Sequence, residues 1–102
     1  MTDVDDGNEF DAEEDDDDFN RVVGAIPRNV LEYIAKEIVD DVDSVEVDTS
    51  ERRGNVMLSL HVAPDDMGKV IGRRGRVAQA IRTVVRAAGA REGIEASVDI
   101  VD

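Results

Sequence analysis

Apolar residues recur along this chain in two rhythms. Val30, Leu31, Ile34, Ala35, Ile38 and Val39 fall three or four apart, while Glu32, Lys36 and Glu37 take the other face, which predicts an amphipathic helix. Pro27 suits its first turn, where a missing N–H costs nothing, and Asp40–Asp41 mark its expected end. The rhythm then becomes alternation. Val45 and Val47 alternate with Glu46 and Asp48, and Val56, Leu58, Leu60 and Val62 alternate with Met57, Ser59 and His61. These are two strand patterns, and the segment Ser50-Glu51-Arg52-Arg53-Gly54-Asn55 between them has turn chemistry, so a hairpin is expected. His61 falls on the polar phase of its strand and is expected to be exposed or half-exposed rather than functional.

Pro64-Asp65-Asp66 opens a short helix, with both acids expected at the positive end of its dipole. Met67, Val70 and Ile71 give it an apolar face and Gly72 ends it. Gly75 starts a longer helix with Val77, Ile81, Val84, Val85 and Ala88 on its apolar side and Gly89 as its expected C-terminal cap. Ile94, Ala96, Val98 and Ile100 alternate with Glu95, Ser97 and Asp99 as a last strand. The predicted order is α-β-β-α-α-β, an α+β fold with a three-stranded mixed sheet and three helices on one face. A right-handed crossover from the second strand through two helices makes the last two strands parallel.

Charge divides the chain in two. The 102 residues carry a formal −13, yet residues 1–20 alone hold eleven Asp or Glu and no Lys or Arg. Residues 21–102 hold all twelve basic residues against fourteen acids. The expected organisation is therefore a disordered acidic tail over 1–20, where the run Glu13–Asp18 repels itself, and one domain over 21–102. The tail is either a solubilising extension or an intramolecular decoy that competes with polyanions for a basic surface. Phe10 and Phe19 are isolated aromatics within it, available to dock on a partner or on the domain. If the decoy reading holds, removing residues 1–20 strengthens binding of a polyanion at low salt.

Composition also excludes chemistry. With no cysteine and a single histidine, thiolate or multi-histidine metal sites and a catalytic triad are not expected, and no cofactor is implied. No apolar run approaches the roughly 20 residues of a membrane span, and the acidic start lacks the basic opening of a signal peptide, so a cytoplasmic protein without membrane contact is expected. About 80 residues of folded chain bury one modest core, which leaves little room for a deep enzyme pocket.

Candidate chemistry concentrates between Lys69 and Arg91. This window holds Lys69, Arg73, Arg74, Arg76, Arg82, Arg86 and Arg91, and no acid. At its centre, Val70-Ile71-Gly72-Arg73-Arg74-Gly75-Arg76 joins two helices through Gly-Arg-Arg-Gly. Two glycines allow a tight reversal and leave backbone amides uncovered, and the following helix aims its positive end at the same place. An anion there meets backbone, dipole and guanidinium groups together. Arg76 and Gln79, near the start of that helix, can flank a bound strand, and Arg82 and Arg86 are expected to project from its polar face. A nucleotide P-loop needs different glycine spacing and a preceding strand, as does a dinucleotide fingerprint.

At these residues the sequence resembles the KH domain family, which clamps about four nucleotides of single-stranded RNA beside a Gly-x-x-Gly loop. The match rests on Val70-Ile71-Gly72-Arg73-Arg74-Gly75 with Ile81 six residues beyond, and it covers roughly Val30 to Val101. The element order is similar to the type II arrangement. Within the family, the stretch His61 to Arg76 and the ending Ile94 to Asp102 resemble the small, stand-alone bacterial KhpA (YlqC) family. The acidic extension and Arg74, where many relatives have glycine, depart from its pattern.

The resemblance implies a non-catalytic RNA chaperone or post-transcriptional regulator that forms a homodimer and pairs with a larger KhpB (Jag)-type KH protein, with links to cell elongation and division. It implies RNA contacts from Lys69, Val70, Ile71, Gly72, Arg73, Arg74, Gly75, Arg76 and Gln79, with Met57 or Ser59 as further candidates for a base-facing floor. The alternative is a protein-interaction module in which pairing is primary and RNA binding secondary. An enzyme is not expected.

Overall fold

The computed structural model describes residues 24–101, so the expected tail, with Phe10 and Phe19, lies outside the described residues. Six main elements follow in the expected order: α1 (Ala25–Ile38), β1 (Glu46–Arg52), β2 (Asn55–His61), α2 (Met67–Ile71), α3 (Arg76–Arg91) and β3 (Glu95–Val101). Single tighter turns at Val42–Ser44, Pro64–Asp66 and Arg73–Gly75 join them. β2 is central, antiparallel to β1 and parallel to β3, with Val56 opposite Glu51 on one side and Ala96 on the other.

Strand alternation separates the two faces of the sheet. Val47, Val56, Leu58, Leu60, Ala96 and Val98 turn inward against Leu31 and Ala35 of α1, Val70 of α2, and Ile81 and Val85 of α3. All three helices thus share one face. Burial of this cluster is the main stabilising term, at about 1.5–3 kcal/mol for each large aliphatic side chain fully removed from water. The opposite face carries Met57, Ser59 and His61 and has no layer over it among the described residues. His61 is half-buried there, its Nε2 3.1 Å from Asp48 Oδ2.

Several local expectations are corrected. The hairpin is tighter than the turn-forming segment suggests. Ser50, Glu51 and Arg52 belong to β1, and only Arg53 and Gly54, both at positive φ (55° and 83°), make the reversal. Two successive left-handed residues are what a two-residue hairpin loop requires, because that twist matches the flanking strands.

Gly89 is not a cap. It lies within α3, where a Cβ would come 2.9 Å from the Ala96 Cβ, and the left-handed residue beyond the helix is Gly93 at φ 75°. The buried stripe of α3 is Ala78, Ile81, Val85 and Gly89, so Val84 is left 46% exposed. Asp66 makes no capping hydrogen bond to α2. It is buried and accepts the Asp41 N–H instead, at 3.0 Å.

Candidate nucleic-acid interface

The glycine-bracketed corner between α2 and α3 is built by steric necessity. Gly72 (φ 77°, ψ 173°) ends α2, its N–H donating to Gly68 O at 2.8 Å. Arg74 (φ 58°) and Gly75 (φ 72°) then stand consecutively in the left-handed region, and Gly75 N–H donates back to Gly72 O at 3.1 Å. Glycine adopts these angles freely, whereas a residue with a Cβ is strained there by about 1–2 kcal/mol. The sequence supplies glycine at two of the three positive-φ positions and arginine at the third.

The corner brings Arg73, Arg74 and Arg76 together as exposed side chains at the N-terminal end of α3. Among the described residues no ion pair engages any of the three. They stand where first-turn amides present partial positive charge, so backbone and side chains favour the same sign of ligand. Gln79 is exposed one turn into α3, and Ile71, 39% exposed, puts an apolar side chain beside Gly72.

Other sequence-predicted site residues are placed differently. Val70 is fully buried in the core and offers no surface to a ligand. Met57 and Ser59 lie on the sheet face opposite the helices that carry the corner, so they do not form a floor continuous with it. Lys69 is engaged locally. Its Nζ pairs with the Asp40 carboxylate and stands 3.6 Å from Asp66 Oδ1. The hydrogen bond to Asp40 is the main reason its pKa is raised. The Asp66 carboxyl is held below its ordinary range, chiefly by the Asp41 backbone N–H, with Asp40's backbone and Lys69 adding to the effect against the cost of burial. Lys69 through the Asp40 carboxylate, and Asp66 through the Asp41 N–H, therefore tie α2 and the turn before it to the segment that follows α1, one turn before the glycine corner.

Arg82 and Arg86 also part company. Arg82 is half-buried and its Nε donates to Val98 O of the edge strand β3 at 3.3 Å, while Arg86 is exposed. Arg82 so occupies a carbonyl on an open sheet edge, a structural task that its place in a basic window does not reveal. Among the described residues, no group of three or more His, Asp or Glu could hold a metal ion, and no helix is long and apolar enough to cross a membrane.

Comparison with known proteins finds a matching family and several relatives. A family model described as KhpA/KhpB, KH domain, matches residues 28–100. The chain is 47% identical over 74 residues to a Clostridium acetobutylicum protein named RNA-binding protein KhpA, covering 72% of this chain and 99% of that one. It is 51% identical over 72 residues to a Streptomyces coelicolor protein of the same name, covering 71% and 87%. A Mycobacterium tuberculosis protein, again so named, is 45% identical over 80 residues, covering 78% and 96%.

Proposed function

The chain belongs to the KhpA/KhpB KH-domain family, and on that premise we propose that it binds single-stranded RNA at the Gly72–Gly75 corner and acts as an RNA chaperone or post-transcriptional regulator. The observation that carries the reading is the cluster of Arg73, Arg74 and Arg76 around a tight backbone corner at a helix N-terminus, without a carboxylate partner among the described residues. The names of the relatives support it, since each is called an RNA-binding protein. In this mechanism the sugar-phosphate backbone runs past the corner. Gly72 and Gly75 let it approach the main chain, the three arginines neutralise phosphates, and Ile71 and Gln79 meet sugars or bases at its margins. Lys69 contributes field rather than a direct contact, because its ammonium is already paired. No catalytic step belongs to this reading.

Between residues 24 and 101 the one aromatic side chain is Tyr33, on α1. Base stacking, worth about 1–3 kcal/mol per base elsewhere, is therefore scarce, and affinity rests on phosphate contacts that weaken as salt displaces them. One shallow basic corner then gains from a second. Self-association, or pairing with a larger KH protein of the KhpB type, raises the effective concentration of the second site.

The test is fluorescence anisotropy of a labelled single-stranded RNA with the protein and with the double variant Arg73→Asp/Arg74→Asp, at two salt concentrations, after circular dichroism has established that both are folded. Binding by the parent that steepens at low salt and vanishes in the variant is expected. Equal binding by both sinks the assignment of the corner, and binding by neither sinks the RNA reading for the isolated chain.

A further inference from the structure

Arg-Arg-Gly occurs twice in this chain, at Arg73–Gly75 in the corner and at Arg52–Gly54 in the β1–β2 hairpin. The backbone repeats as well. Arg53 (φ 55°) and Gly54 (φ 83°) stand in the left-handed region as Arg74 and Gly75 do, and Arg53 and Arg74 are the two non-glycine residues at positive φ among the described residues. A Cβ on Gly54 or on Gly75 would meet nothing within 4 Å, so both turns leave open space over the main chain. Arginine is strained at such a position, whereas Asn-Gly is a pairing that this hairpin turn favours. Beside the hairpin, the sheet face opposite the helices holds a groove of about 430 Å³. Strand register explains its lining: Arg52 lies opposite Asn55, and Met57 lies between Ser50 and Ser97, with Arg53 added from the turn. Among the described residues no ion pair engages Arg52 or Arg53. Met57 is 44% exposed. Of the acids on this face, Glu46, Asp48 and Asp99 stand toward the His61 end and Glu95 lies on β3 beside Asn55, so the two arginines make the hairpin end the positive one.

We propose that this groove is a second contact site for single-stranded RNA, taking a nucleotide of the same strand that the Gly72–Gly75 corner holds; it rests on the RNA reading of that corner. The volume falls within the roughly 300–1,000 Å³ of small-ligand clefts. Arg52 and Arg53 supply charge-assisted hydrogen bonds to phosphate. Ser50, Asn55 and Ser97 offer donors and acceptors to ribose and base edges, and the polarizable Met57 thioether suits the flat face of a base. The route between the two sites follows α3. Gly89 packs on Ala96, which pairs with Val56 next to the hairpin, so α3 runs from the corner to the hairpin end of the sheet. Arg76 and Gly89 are thirteen residues apart, about 20 Å at a rise of 1.5 Å per residue. A strand stacked at about 3.4 Å per nucleotide covers that span with no fewer than about six. Gln79, Arg82 and Arg86 share one side of α3 along the way, the side on which Arg82 meets the β3 edge, and α3 contains no acid. The repeated corner and the cationic path joining the two select a long polyanion over an acidic peptide.

The test uses the full chain and the double variant Arg52→Gln/Arg53→Asn, which keeps a strand residue and supplies the favoured Asn-Gly turn, so the hairpin is retained. Anisotropy titrations with labelled oligouridylates of four and sixteen nucleotides are compared at several salt concentrations. The variant is expected to bind the sixteen-nucleotide strand several-fold more weakly and to lose much less on the short one, which cannot span the two sites. Its salt slope on the long strand should fall by about 1.4, at about 0.7 for each of two phosphate contacts on a single strand. Unchanged affinity for the long strand, with binding still abolished by Arg73→Asp/Arg74→Asp, overturns the hairpin site and leaves the corner standing. Loss in the hairpin variant but not in the corner variant sinks the corner and keeps the groove. Equal proportional loss at both lengths overturns the proposal, because it marks a general change of field. NMR of the Gly54 amide and the Met57 methyl separates the occupants. Both signals should move on adding the long strand; movement without RNA when Asp15–Asp18 are changed to Asn would assign the groove to the acidic segment and overturn the proposal.

Discussion

Gly72 lies so close to Val77 that a Cβ on it would sit 2.3 Å from Val77 Cγ2 and 2.9 Å from the Val77 backbone nitrogen. The two residues lock the end of α2 against the first turn of α3. Gly75, three residues later at a similar φ, has nothing within 4 Å of its Cβ position. Gly75→Ala therefore carries only backbone strain, about 1–2 kcal/mol, whereas Gly72→Ala adds overpacking of about 1–3 kcal/mol. Denaturant melts of the two variants are expected to separate in that order, and equal midpoints would mean that the corner is softer than its geometry implies.

Arg74 occupies the left-handed region at φ 58° without a partner among the described residues. Arg74→Gly removes strain and a cation together. It is expected to raise stability by about 1 kcal/mol while weakening RNA binding and lowering its salt slope by roughly one phosphate contact. Thermal melts and anisotropy at several salt concentrations read the two effects separately. A variant both less stable and equally tight would contradict both halves of the argument.

The buried Asp66 carboxyl, with its pKa lowered chiefly by the Asp41 N–H, contributes stability that is fully present above the carboxylate's unfolded value near 3.8. That contribution is lost as pH falls through the lower, folded value. Asp66→Asn should be less stable than the parent at pH 7, with the gap narrowing as pH drops below about 4. Lys69 has the opposite sign. Its raised pKa, caused first by Asp40, stabilises fully below the unfolded value of 10.5 and ceases to do so as pH rises through the folded one. Melting temperature against pH for the parent, Asp66→Asn and Lys69→Met checks both limbs; a gap independent of pH would dissociate Asp66 from the acid limb.

Neutralising the N-terminal acids, as in a full chain with Asp15–Asp18 all changed to Asn, is expected to tighten RNA binding at low salt and to change little at high salt. Screening shortens the reach of like-charge competition to about 3 Å at 1 M salt. Anisotropy titrations at both ionic strengths provide the comparison. Affinity unchanged at low salt would remove any competitive role for the acidic segment.

Much of this molecule was legible along the chain. The change of hydrophobic period from helical to alternating located all six elements, because helix and strand each expose a face whose spacing is a local property of the backbone. Gly-Arg-Arg-Gly between two helical patterns located a reversal, because left-handed angles favour residues without a Cβ. The division of charge between residues 1–20 and the Lys69–Arg91 window is likewise a matter of sequence alone.

What only the fold decided is which of two similar residues faces which neighbour. Val70 and Ile71 are adjacent aliphatics, yet one is core and the other surface because α2 offers a single turn to the sheet. Gly89 and Gly93 both suit a cap, and Ala96 selects between them by lying where a Cβ at 89 would fall. Lys69 and Arg82 share a basic window with Arg73 but are engaged by Asp40 and by Val98 O, partners 29 and 16 residues away. Local pattern encodes the element and its buried side; contacts between residues distant in sequence form only when those sides meet, and they set which cations remain for a ligand.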